Sequence, residues 1–152
     1  MPLFFPNAHT AAFRAIPLAL ALLLTACATS KPDASPAPSQ EALACALPSN
    51  CVSTANGAPP LRFDGPPAQG MARLRTTLAS FSEARIVRAD GLALEAVFTT
   101  PAGFTDVVDF RIDPAQQRIN YRSRSTFGLY DFGKNRSRMA LFDQRFATAP
   151  GR

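Results

Sequence analysis

Between residues 106 and 138 the chain gathers most of the side chains that could do chemistry. Asp106 and Asp109 come first, then Arg122, Ser123 and Ser125, then Asp131, Asn135, Arg136 and Arg138. Guanidinium groups beside the free N–H groups of a helix start can hold a phosphate or a carboxylate. The same residues can equally satisfy one another, with Asp106, Asp109 and Asp131 pairing the arginines and pinning a Gly-rich loop to the body of the protein. Arginine at a helix start is poorly placed for the helix dipole, so a negative group is expected to face it. Sequence alone leaves ion pairing and anion binding both open. Arg122, Asp131, Asn135 and Arg136 are expected to converge in space, with Gly128 and Gly133 supplying the positive backbone angles the reversal needs.

The catalytic options are narrow. His9 is the only histidine, and it falls in a leader-like segment. A chain without it has no Ser-His-Asp or Cys-His machinery and no His-based zinc site. Walker-type and dinucleotide Gly-rich loops are missing as well. An enzyme would have to use Asp, Arg, Ser and Tyr130, with Asp106 and Asp109 as its acids. Ser123 and Ser125 read more readily as hydrogen-bonding residues of a strand than as nucleophiles. No metal site and no cofactor is expected.

The three cysteines divide in two ways. Cys45 and Cys51, in CALPSNC, form an even pair that reads as a disulfide in an oxidising compartment. The spacing is not C-x-x-C, and no histidine is near, so a redox or metal pair fits less well. Cys27 is different. It follows Arg14, the apolar run AIPLALALLLTA and the small residues Thr25 and Ala26. That run is shorter than the roughly 20 apolar residues a membrane span needs and has the order of a secretory leader. Leu24-Thr25-Ala26-Cys27 resembles the lipobox of bacterial lipoproteins, which implies cleavage before a diacylglycerol-modified Cys27. Several acyl chains on one residue anchor stably. Ala28, where Asp would signal inner-membrane retention, resembles an outer-membrane address facing the periplasm.

Three segments follow: a leader over 1–26, a Pro/Ala/Ser-rich tether over 27–44, and one globular domain over 45–149. Residues 28–40 have almost no large apolar groups that could offset the entropy of ordering them, so they read as an extended spacer. Pro48, Pro59, Pro60, Pro66 and Pro67 place the start of regular structure late.

Within the domain, Met71, Leu74, Leu78 and Phe81 fall at helical spacing over 67–81, opposite Arg73, Arg75 and Thr76. Strand-like runs follow at ARIVRA (84–89), LALEAVFTT (92–100), TDVVDFRI (105–112) and QRINYRSRS (117–125). Asp90-Gly91 marks a hairpin between the first two, and Asp113-Pro114 a turn between the last two. FGLYDFG (127–133) is a loop punctuated by glycine. A last helix is expected after it, capped by Asn135, with Met139, Phe142 and Phe146 on one stripe and Arg138 and Arg145 off it. The fold class is α+β in two layers, an antiparallel four-stranded meander flanked by an N-terminal and a C-terminal helix.

Asn50-Cys51-Val52-Ser53, then Gly103-Phe104-Thr105-Asp106-Val107-Val108-Asp109-Phe110, then Arg122-Ser123-x-Ser125-x-x-Gly128-x-x-Asp131-x-Gly133-x-Asn135-Arg136-x-Arg138 resemble the uncharacterised bacterial family numbered 1499 among the domains of unknown function. The resemblance covers about residues 45–147. Cys45 stands where many members have the first Cys of a pair. Val107 replaces a second acid and Thr126 an Arg that the family usually shows. The resemblance implies a domain in an envelope context and no established activity.

Charge adds a partner class. The chain carries 16 basic and 11 acidic residues, and eight of the basic ones, against two acids, lie in 118–152. Such a face suits anionic lipid or an acidic envelope protein; an exported protein rarely meets nucleic acid. The reading is a lipid-anchored, non-catalytic binding or structural module of the bacterial envelope. Its alternative is a His-free envelope enzyme of unknown reaction.

Overall fold

The computed structural model describes residues 40–151. The expected leader, the expected lipidation site at Cys27 and most of the expected tether lie outside the described residues. Packing begins before Cys45: Leu43, in a 3-10 turn over Gln40–Leu43, is 2% exposed. Two further 3-10 turns flank a short strand, β1 (Cys51–Ser53), and β2 (Leu61–Arg62) follows. Then come α1 (Pro67–Ala79), β3 (Ala84–Asp90), β4 (Ala93–Thr99), β5 (Thr105–Asp113), β6 (Arg118–Ser125) and α2 (Lys134–Thr148).

The protein is α+β, with one antiparallel sheet in the order β1-β6-β5-β4-β3 and β2 also paired to β6. The meander β3–β6 is therefore four of six strands rather than the whole sheet. β1 and β2 are three and two residues long, too short to show a period of two. They are strands only because they pair with the outer edge of β6, Cys51 opposite Arg124 and Leu61 opposite Ile119. The Asp90-Gly91 hairpin forms, with Asp90 opposite Ala93.

Alternation along the strands sends Leu94, Phe98, Val108, Phe110, Ile119 and Tyr121 to one face, where they are buried. Leu74 and Leu78 of α1 and Met139, Phe142 and Phe146 of α2 join the same core. Phe142 is its hub, stacked on Phe81 at 5.7 Å and tilted on Phe110 at 5.1 Å. The two helices also satisfy each other's carboxyl ends. Arg73 of α1 donates to Phe146 O at 2.7 Å, and Arg145 of α2 donates to Ser80 O at 2.7 Å, each guanidinium lying over a phenyl ring.

Two expectations about α2 are corrected. Gly133, at φ 76°, is the residue before the helix, and Asn135 lies inside its first turn. The capping oxygens belong to Asp131, which accepts from Gly133 N at 2.9 Å and Asn135 N at 2.8 Å. Arg138 is also not off the apolar stripe: it is buried. Positions 135, 138, 142 and 146 share one helical face, and sequence spacing alone did not weigh Arg138 as a buried member of it.

Candidate functional site

The polar residues sort by strand face. On β5 and β6, Asp106, Ser123 and Ser125 point toward the helices, while Asp109 and Arg122 point to the opposite side. Asp106 lies across from Ser125 and Asp109 across from Arg122.

On the helix side a buried network forms around Asn135. Its Oδ1 accepts from Ser123 Oγ at 2.6 Å and from Arg138 Nη1 at 3.0 Å. Its Nδ2 is within bonding distance of Asp131 Oδ2 (2.8 Å), Ser125 Oγ (3.1 Å) and the Asn50 carbonyl (3.1 Å). Arg138 Nη2 donates to Asp106 Oδ2, and both partners are buried. The guanidinium also lies 4.7 Å from the Phe98 ring centroid. Burial pushes the Asp131 carboxyl up, but the bonds it accepts from the Asn135 backbone and amide and from Gly133 outweigh this and hold it below its ordinary value.

Arg122 does not join this network. It pairs with the buried Asp109 at 2.8 Å on the face away from the helices and reaches the Ala44 carbonyl at 3.4 Å. The expected convergence therefore holds for Asp131 and Asn135 and fails for Arg122. Arg122 is an odd step away from Ser123 and Ser125 along a strand, which places it on the other face. Asp106 and Asp109 are separated by the sheet for the same reason, and each has its own arginine. They do not face one cavity as paired acids.

Arg136 is exposed. Among the described residues, neither it nor Lys134 lies within ion-pair distance of a carboxylate. It borders a cleft of about 510 Å³ together with Cys45, Val52, Tyr121, Met139 and Asp143. Burial raises the Tyr121 phenol; Asp143 adds to this and Arg136 opposes it. Among the described residues no group of three or more His, Cys, Asp or Glu could hold a metal ion.

The Cys45–Cys51 disulfide is present, with a Cα–Cα distance of 5.8 Å. It closes the loop that carries Ser49 and Asn50, and these hold the loop 126–133. Asn50 Nδ2 donates to Gly128 O at 2.6 Å, Ser49 Oγ donates to Leu129 O, and Asp131 N donates to Ser49 O at 3.2 Å. Sequence marks Asn50 only as a turn former and a member of the family-like motif and gives Ser49 no role, because their partners lie about eighty residues away.

Sequence marks the loop itself only as a glycine-punctuated connection. Its backbone is held on one side, yet its large side chains point outward. Phe127 is 77% exposed, Leu129 79%, Tyr130 63% and Phe132 90%. Phe104, in the β4–β5 loop at the same end of the sheet, is 58% exposed. Phe132 also holds φ 54°, a left-handed angle that a bulky side chain rarely adopts. The available signal was composition: FGLYDFG is far more apolar than a solvated turn requires.

The family model described as "Protein of unknown function (DUF1499)" matches residues 24–146. No curated protein and no solved structure matches.

Proposed function

The chain belongs to the DUF1499 family of proteins of unknown function, and on that premise we propose that it is a lipid-anchored, non-catalytic module of the bacterial cell envelope, binding an anionic or envelope partner through the end of the domain where α2 begins. One observation carries the reading. Asp106, Ser123, Ser125, Asn135 and Arg138 are turned inward and bonded to one another or to Asp131. The side chains left outward at the same end are apolar and cationic: Phe127, Leu129, Tyr130, Phe132, Lys134 and Arg136. A hydrolase built on Asp106 and Asp109 gains no support, since the sheet separates them and each is engaged by an arginine. The lipobox at Cys27 supports the anchor, and the eight-to-two excess of basic residues over 118–152 supports an anionic partner.

Two measurements on cells test it. Labelled palmitate should enter the wild-type chain and not Cys27→Ala, and Cys27→Ala should leave the membrane fraction or persist as a precursor. Unlabelled wild type that fractionates like the mutant overturns the anchor. Association with envelope extract should weaken with salt and with Arg136→Ala; salt-independent association, unchanged in the mutant, overturns the anionic partner.

A further inference from the structure

We infer that the loop 126–133 is a membrane-docking tip: Phe127, Leu129 and Phe132 enter the headgroup region of an anionic bilayer while Lys134 and Arg136 meet its phosphates. This deepens the proposed binding role and rests on it.

The loop's chemistry fits a fluid interface. Four large apolar or aromatic side chains project from a backbone held by Ser49, Asn50 and Asp131. Tyr130 and Phe132 meet edge to face at 5.0 Å. Aromatic rings with flanking cations are what the membrane–water boundary favours. The one acid in the loop, Asp131, is directed inward onto Gly133 and Asn135, so it offers little repulsion to a lipid phosphate. Phe104 stands at the same end, because Thr99 pairs with Thr105 and Asp106 with Ser125. Among the described residues no helix is long and apolar enough to cross a membrane, so the contact is peripheral.

The chain also limits how far this end can stand from the bilayer. Twelve residues separate Cys27 from Gln40, a reach of about 40 Å at full extension. The segment that Gln40 leads into is the one that grips the loop, through Ser49 and Asn50. A lipid on Cys27 would therefore hold the tip at high effective concentration over the surface. Phe132 adds the last argument. A bulky residue kept at φ 54° and 90% exposed buries almost none of its ring in the fold, and strain of this kind collects at functional positions.

The chain contains no tryptophan, which makes a local probe available. Full-length Phe132→Trp, reconstituted on phosphatidylglycerol/phosphatidylethanolamine vesicles with brominated acyl chains, should show blue-shifted emission and strong quenching. Ala115→Trp, in the β5–β6 turn at the opposite end of the sheet, should show neither. Leu129→Trp repeats the measurement at a position with an unstrained backbone, should Phe132→Trp fold poorly. Lys134→Glu should weaken the quenching about fivefold, and raised salt should do the same. Tryptophan at 132 and 129 that stays water-exposed on vesicle-bound protein overturns the inference. So does shielding by envelope protein but not by vesicles, which assigns the tip to a protein partner. Palmitate labelling of the same preparations reports on the anchor separately, so the two readings fail independently.

Discussion

Asn135 meets Asp131 twice: the Asn135 backbone N–H and its side-chain Nδ2 both donate to Asp131 Oδ2, each at 2.8 Å. One carboxylate oxygen thus starts α2 and fixes the amide that organises the buried network. Asn135→Asp keeps the shape and reverses the chemistry, setting an acceptor against Asp131 and leaving the Asn50 carbonyl without its donor. Urea denaturation should show a loss of at least about 2 kcal/mol. Wild-type stability in this variant would mean that the network does not hold the fold.

Arg138 and Asp106 form a buried pair beneath α2. Arg138→Met or Asp106→Leu alone leaves one buried charge without its partner, and should cost about 3–5 kcal/mol. The double change should recover most of that loss, because two apolar groups remove both charges together. A double-mutant cycle by chemical denaturation checks this. Additive losses would show that the two side chains do not act as a pair.

Asp131 makes stability depend on pH with a defined sign. Its folded pKa lies below the ordinary 3.8, so the folded state favours the carboxylate. The stabilisation is fully present above 3.8 and is lost as pH falls through the lowered folded value. Because this carboxylate is only partly buried, the effect should be modest. Asp131→Asn should remove this part of the acid sensitivity, while losing about 1 kcal/mol at neutral pH through poorer capping. Unfolding midpoints measured from pH 7 to pH 2 on both proteins make the comparison; parallel curves would count against it.

Phe132 should separate stability from binding. Phe132→Asn relieves the left-handed backbone, since Asn tolerates that region, but it gives up an exposed ring contact with Tyr130. The melting temperature should stay level or rise, by up to about 1 kcal/mol of stability, while sedimentation with anionic vesicles falls. A sharp drop in melting temperature would place Phe132 in the fold and not at the surface that binds.

The sequence by itself determined the local elements. α1, the meander β3–β6 and α2 were legible because helices and strands repeat every 3.6 and 2 residues, so consecutive side chains report their own period. The disulfide was legible as an even pair of close cysteines, whereas the expected leader and the lipidation of Cys27 rest on sequence order alone. Tertiary structure decided everything that needed a distant partner. Cys51–Ser53 and Leu61–Arg62 became strands because β6 offered an open edge. Arg138 turned inward because Asp106, thirty-two residues earlier, waits beneath α2. Arg122 and Asn135, close in one motif, ended on opposite sides of the sheet. Ser49 and Asn50 acquired their role only when the chain returned at Gly128 and Leu129. A hydrogen bond depends on the donor and acceptor that folding brings within about 3 Å, and a run of neighbouring residues carries no record of which distant group that will be.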